Sequence, residues 1–375
     1  MPVDHTLARP LGAQISHMLK DRGVDVIFGI PGVHNQEMYR GIEEAGITHV
    51  LARHEQGAGF MADGYARATG KPGVAYVITG PGLTNIMTPM GQAYSDSVPM
   101  LVISSCLDET AATKGQLHQM KDQRAAAATV CDWSEEARTA EAAYALIDRA
   151  LMEFETNRPR PKHIQVPIRQ LEAQADPATR WLPEKTGEPT NTFTLTRLPS
   201  AIKQPMPLDV IDTLALRLLQ SERPLFVFGG GGARWLGAPS SPVGAILEHL
   251  KAAAFTTYAG RGVVPPNWPL LFGSTLARPE SAALLDASDC VVLVGTDLAE
   301  VDLWRATAGH RPGAYLINLD PEVLSRAHPT DWCLQYDAET ALTHLAAALD
   351  KHASNASRRP TSGWSSDLVA GYRAR

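Results

Sequence analysis

Short apolar runs alternate along this chain with longer stretches whose apolar positions recur at helical spacing. Residues 7–22 read as a helix, followed by a strand over 24–29 and a turn at Pro31-Gly32. A helix over 36–45 and a strand over 47–52 come next. The helix that opens at Glu55 runs to residue 69 and is stopped by Gly70-Lys71-Pro72-Gly73. Strands over 74–79 and 100–105 flank a helix over 83–95. These strands are apolar throughout instead of alternating, which predicts a parallel sheet covered by helices on both faces.

The rhythm lapses over 173–205, where Pro, Thr, Lys and Glu dominate, as in Pro183-Glu184-Lys185-Thr186-Gly187-Glu188-Pro189. That composition predicts a linker. A second α/β unit follows over 206–350, with strands over 225–229, 254–257, 290–295 and 314–320 and a last helix over 339–349. Residues 351–375 read as a polar tail. The fold class is therefore α/β, with two doubly wound, mostly parallel-sheet domains over 5–172 and 206–350, the second Rossmann-like. A length of 375 residues is in keeping with two or three domains.

Charge narrows the function classes. The net charge is −6 and no long basic block occurs, which argues against nucleic acid as a partner. No apolar run is long enough to span a bilayer; Cys290-Val291-Val292-Leu293-Val294 reads as a buried strand. The four cysteines, Cys106, Cys131, Cys290 and Cys333, form no C-x-x-C pair, and the twelve histidines show no H-E-x-x-H spacing. Neither pattern points to a metal site. Isolated thiols and a polar Met1–His5 segment lead to the expectation of a cytoplasmic protein.

The chemistry concentrates at strand ends. Glu55 stands where the apolar run 47–52 gives way to a helix studded with Gly57, Gly59 and Gly64. Each of these glycines costs up to about 1 kcal/mol in a helix interior relative to alanine, which suggests close approach of a backbone or a ligand. A carboxylate at such a junction is either a capping group or a proton-handling one. Two further loops, Phe28-Gly29-Ile30-Pro31-Gly32-Val33-His34-Asn35 and Thr79-Gly80-Pro81-Gly82-Leu83-Thr84-Asn85, also follow strands. In an open parallel sheet all three fall on the carboxyl edge, where ligands gather. The run Gly229-Gly230-Gly231-Gly232-Ala233-Arg234 has Arg where a dinucleotide fingerprint needs Gly, and no Gly-Lys-Ser/Thr follows, so it reads as a tight turn. Asp320, beside Pro321, also reads as a turn residue rather than a ribose ligand.

Taken together, Arg53-His54-Glu55, Val77-Ile78-Thr79-Gly80-Pro81-Gly82-Leu83-Thr84-Asn85 and Ala93-Tyr94-Ser95-Asp96-Ser97-Val98-Pro99 resemble the pyrimidine-binding domain of thiamine diphosphate-dependent enzymes, of the acetolactate synthase and 2-oxo acid decarboxylase type. Residues 206–350 resemble the central domain of that superfamily, which binds FAD in some members. The segments 28–35, 38–41 and 257–265 are most similar to 5-guanidino-2-oxopentanoate decarboxylases, a pattern that acetolactate synthases largely share. The resemblance implies that Glu55 hydrogen-bonds the N1′ atom of the aminopyrimidine ring and so promotes loss of the C2 proton from the thiazolium. It implies cofactor-binding positions for Pro81 and Asn85 near the aminopyrimidine and for Gly32, Val33 and His34 near the reacting carbon. Gln119, in Leu117-His118-Gln119-Met120, resembles the active-site glutamine; a solvated loop amide is the alternative.

The superfamily's third domain carries a Gly-Asp-Gly motif that binds Mg²⁺ and the diphosphate. These 375 residues contain no Gly-Asp-Gly; their only Asp-Gly is Asp63-Gly64. The expectation is thus that Mg²⁺ is held through a diphosphate-binding domain not in this chain. The chain is then a truncated product, one part of a split enzyme, or a non-catalytic scaffold or regulatory subunit. A homo-oligomer or a partner chain carrying that domain is expected, with a small 2-oxo acid as substrate.

Overall fold

The computed structural model describes residues 7–108, 115–178, 208–235, 241–353 and 362–375. The chain divides into two units that part between residues 202 and 203. The stretch expected as a linker lies outside the described residues from 179 to 205.

The first unit runs β1 (Arg9–Pro10), α1 (Leu11–Asp21), β2 (Val26–Gly29), α2 (Gln36–Glu44), β3 (Thr48–Leu51), α3 (Glu55–Thr69), β4 (Gly73–Val77), α4 (Pro81–Asp96), β5 (Met100–Cys106), α5 (Gln123–Ala127), β6 (Trp133–Glu136), α6 (Ala140–Thr156), β7 (Lys162–Pro167), α7 (Ile168–Glu172) and β8 (Gln174–Ala175). Six strands form one parallel sheet in the order β3-β2-β4-β5-β7-β6. The chain steps from β2 to β3, then crosses back to β4 on the other side of β2. The strand order therefore reverses between β2 and β4, and the loops after β2, β3 and β4 share the carboxyl edge at that point. All seven residues of β5 are buried, so both faces of the sheet are covered. One face packs Leu11, Ile15, Leu19, Ile103 and Ile147; the other packs Ala58, Ala62, Val77, Ile86 and Met90. Each large aliphatic side chain removed from water in this way contributes about 1.5–3 kcal/mol.

The second unit runs α8 (Leu208–Gln220), β9 (Pro224–Phe228), a 3₁₀ turn over Gly230–Trp235, α9 (Val243–Leu250), β10 (Ala253–Thr256), β11 (Leu271–Gly273), α10 (Glu280–Asp286), β12 (Cys290–Val294), α11 (Glu300–Leu303), β13 (Tyr315–Asn318), α12 (Pro321–Leu324), β14 (Trp332–Gln335), α13 (Ala338–Ala353) and α14 (Ser366–Arg373). Its parallel sheet has the order β11-β10-β9-β12-β13-β14. Two doubly wound α/β units are thus present, as the continuous apolar strands predict.

Several elements depart from the sequence reading. The first helix begins at Leu11, not residue 7, because Arg9 and Pro10 pair with Ala175 and Gln174. That pairing also lies inside the stretch expected as linker. Four strands of the two main sheets escape the apolar-run criterion. β6, β11 and β14 are sheet edges of three or four residues. β7, Lys-His-Ile-Gln-Val-Pro, alternates polar and apolar residues, yet every one is buried. Its polar side chains find partners inside the unit: Lys162 meets Asp132 at 3.0 Å and Glu153 at 3.2 Å, and Gln165 donates to Glu136 at 2.6 Å. Within the stretch expected as a polar tail, residues 362–375 pack on the second unit. Trp364, Val369 and Tyr372 are buried, and the Tyr372 ring meets Phe272 edge-on with centroids 5.2 Å apart.

Candidate active site

β3 delivers the chain to His54, whose extended backbone and ring Nδ1, accepting from the Gln56 N–H at 3.1 Å, cap α3. Glu55 is the first residue of that helix and is buried to 9% exposure. Its burial at a helix N-terminus suits the negative charge. Asn85, one turn into α4, donates from Nδ2 to Glu55 Oε2 at 2.9 Å. The other oxygen, Oε1, lies beside Gly82: a methyl group on Gly82 would sit 3.5 Å from it.

Glycines let the three loops close together. A methyl group on Gly82 would fall 2.7 Å from Ile78 Cγ2, and one on Gly32 would run into Ile78 Cδ1. Ile78, at the end of β4, is therefore packed from the β2 loop on one side and from the start of α4 on the other. The glycines at positions 32 and 82 thus report close packing about Ile78, and Gly82 also lies beside the Glu55 carboxylate. Within α3, Gly59 is the glycine that packs against other described residues. A methyl group there would strike Pro89 and come within 2.7 Å of Ile86 Cγ1, whereas Gly57 and Gly64 face open space.

Behind Glu55 stands Tyr39, which donates to the Tyr76 carbonyl at 3.0 Å. Burial, Tyr76 and the Glu55 charge together push its hydroxyl pKa far up, so Tyr39 remains a neutral donor. The structure places the expected residues unevenly. Glu55 and Asn85 are in contact. Gly32 and Gly82 share Ile78, Pro81 is the exposed first residue of α4, and Val33 is 59% exposed. His34 packs edge-on against His118 with ring centroids 5.7 Å apart, and burial and the neighbouring His118 lower its pKa. Gln119 is exposed, and its Oε1 accepts the Gln116 N–H at 3.1 Å within its own turn. Its neighbour His118 is the residue that meets His34 and Gly80.

Two residues escaped the sequence reading. His118 has a left-handed backbone (φ 61°), and its carbonyl oxygen presses against Gly80. Gln123 is buried; its Oε1 accepts the Gly80 N–H at 2.8 Å, and its Nε2 donates to Ser104 Oγ and the Ser105 carbonyl at 3.0 and 2.9 Å. No local motif marks either one. Among the described residues, no group of three or more His, Cys, Asp or Glu is placed to hold a metal. In the second unit the glycine run at 229–232 is absorbed by loop packing. A methyl group on Gly231 would lie 2.8 Å from the Gly295 α-carbon, and one on Gly229 would strike the Gly295 carbonyl.

The family described as thiamine pyrophosphate enzyme, N-terminal TPP binding domain, matches residues 9–126, and thiamine pyrophosphate enzyme, central domain, matches residues 211–345. The chain is 38% identical over 355 residues to a probable 2-ketoarginine decarboxylase of Pseudomonas aeruginosa, which takes in 94% of this chain and 60% of that protein. It is 29% identical over 336 residues to a probable acetolactate synthase large subunit of Methanocaldococcus jannaschii, taking in 88% of this chain and 54% of that one. It is 28% identical over 370 residues to a pyruvate oxidase of Lactiplantibacillus plantarum, taking in 97% and 57%. The chain therefore spans little more than half the length of these curated relatives.

Proposed function

The chain belongs to the thiamine pyrophosphate enzyme family, and from that premise we propose that it supplies the aminopyrimidine-binding half of an enzyme that decarboxylates a 2-oxo acid. One observation carries the reading. A buried carboxylate, Glu55, has one oxygen fixed by Asn85 and the other beside Gly82, where three loops meet at the sheet's switch point. This fits a flat heteroaromatic ring presenting a nitrogen to Oε1, since Asn85 holds the opposite oxygen and no side chain extends from Gly82 beside Oε1.

When bound, thiamine diphosphate supplies an electron sink for the bond that releases carbon dioxide. The chain's own residues do the rest. Glu55 holds a proton shared with a ring nitrogen at Oε1, and Asn85 keeps the carboxylate from turning away. Gly82 lies beside Oε1; in this reading Pro81 borders the ring, and Gly32, Val33 and His34 border the reacting end. The diphosphate and its Mg²⁺ are held, in this reading, by residues outside these 375, in a continuation of the chain or in a partner; a dimer or larger assembly then completes the site. The relative named as a probable 2-ketoarginine decarboxylase supports a 2-oxo acid with a guanidinium tail as substrate. The acetolactate synthase relatives support a second reading, carboligation to acetolactate; FAD in the central domain would go with that reading.

The test is turnover of 2-ketoarginine and of pyruvate, by the chain alone and with a polypeptide carrying the diphosphate-binding motif. In an active assembly, Glu55→Gln is expected to slow exchange of the bound cofactor's C2 proton by about 10²–10⁴-fold. An unchanged exchange rate sinks the assignment. A yellow protein making acetolactate from pyruvate decides for the second reading.

A further inference from the structure

The Gly80 turn is the hinge on which the site hangs. Gly80 has φ 65° and ψ −108°, a conformation that favours glycine, and it directly precedes the Pro81 that opens α4. α4 in turn carries Asn85 to Glu55. The segment 118–123 grips this hinge twice, with the His118 carbonyl against the Gly80 α-carbon and Gln123 on its N–H.

From this grip a continuous hydrogen-bond chain runs inward. Gly80 N to Gln123 Oε1 is 2.8 Å, Gln123 Nε2 to Ser104 Oγ 3.0 Å, Ser104 Oγ to His163 Nε2 2.8 Å, and His163 Nδ1 to Ser134 Oγ 2.7 Å. Gln123, Ser104, His163 and Ser134 are all buried, the serine and histidine at the centre completely. Ser105, the next residue of β5, accepts from the Thr79 N–H and hydroxyl, both at 3.0 Å, so the same strand holds the residue before the hinge.

The direction of the bonds made by Gln123 follows from the outer end of this chain. A backbone N–H can only donate, so the Gln123 carbonyl oxygen must face Gly80 and its NH₂ must face Ser104 and Ser105. Ser104 Oγ then accepts from Gln123. With the Ser104 proton given to His163 Nε2, the chain runs one way, and the imidazole carries its proton on Nδ1 and donates it to Ser134. Complete burial lowers the His163 pKa to about 3, so the ring is neutral and able to play both roles.

We propose that Gln123 is a positioning residue for Glu55, acting through a one-way chain from Gly80 to Ser134 that locks His163 as the Nδ1–H tautomer. The chain sets the Gly80 turn, the turn sets the start of α4, and α4 presents Asn85 to Glu55. The catalytic use of this device rests on the reading of Glu55 given above; the chain of hydrogen bonds does not.

The experiment uses the full chain without cofactor, so it stands apart from the Glu55 test. Nitrogen-15 resonances of His163 at neutral pH are expected to show a protonated Nδ1 and a bare Nε2; a protonated Nε2 overturns the proposal without any variant being made. In Gln123→Leu, the Gly80 amide is expected to exchange about tenfold faster while amides at the centre of β4 keep their protection, and the Asn85 side-chain NH₂ resonances are expected to shift. Gln123→Glu can accept from Gly80 but, ionised, cannot donate to Ser104. It is expected to keep Gly80 protection and lose the fixed tautomer. A folded Gln123→Leu with Gly80 and Asn85 unchanged also overturns the proposal.

Discussion

Ile78 shows how finely the site is set by single atoms. Its Cδ1 fills the place a methyl group on Gly32 would occupy. Gly32→Ala is therefore expected to cost about 1–3 kcal/mol, read by thermal unfolding. Valine lacks that terminal methyl, so Gly32→Ala with Ile78→Val is expected to recover part of the loss; strict additivity of the two would refute the contact. His163 makes a second residue-level case, through pH. Its folded pKa of about 3 lies below the roughly 6.5 of an exposed imidazole, so the unfolded chain binds the extra proton between those values. The stabilisation is complete above pH 6.5 and is lost as pH falls towards 3. The loss from pH 7 to 5 is expected to be about 2 kcal/mol in urea titrations, and His163→Gln should flatten that slope. An equal slope in the variant would show that other groups carry it.

At the scale of elements, α3 packs on α4 through one glycine. Gly59 admits the Pro89 ring and Ile86, which have no flexible end to yield. Gly59→Ala is expected to lose about 2–3 kcal/mol of stability by prying the two helices apart. Gly64, on the same helix, has nothing within 4 Å, so Gly64→Ala should gain up to about 1 kcal/mol from helix propensity alone. A loss at Gly64 would mean that this face is covered in solution. The contrast also marks what could be read in advance. α3 was legible at both ends because the acid and the Gly70 stop are local signals, and Gly70 does take the left-handed conformation there. α4 begins at Pro81, two residues earlier than the apolar pattern suggests, because proline is at home in a first helical turn. β7 was illegible, because its buried Lys162, His163 and Gln165 find partners far away in sequence. Gln123 was hidden for the same reason: its partners lie 43, 19 and 18 positions away. Gln119, to which the family likeness points, accepts the Gln116 N–H within its own turn.

At the scale of the whole molecule, two α/β units each close a core of their own, and the groups gathered about Glu55 all come from the first. Those groups address a ring; among the described residues no group of three or more His, Cys, Asp or Glu is placed to hold a divalent cation. If binding by these 375 residues draws on the ring alone, the phosphate groups should add nothing to it. Calorimetric titration of the chain with thiamine and with thiamine diphosphate, each with and without Mg²⁺, is therefore expected to give equal, weak affinities in all four experiments. Glu55→Gln should weaken thiamine and thiamine diphosphate alike, by the one charge-assisted hydrogen bond it removes, about 1.5–3 kcal/mol. A Mg²⁺-dependent gain specific to the diphosphate would place phosphate and metal ligands within this chain and overturn the division of the site. Equal affinities that rise together only when a Gly-Asp-Gly-bearing polypeptide is supplied, and then only for the diphosphate with Mg²⁺, would show the two halves acting as one site.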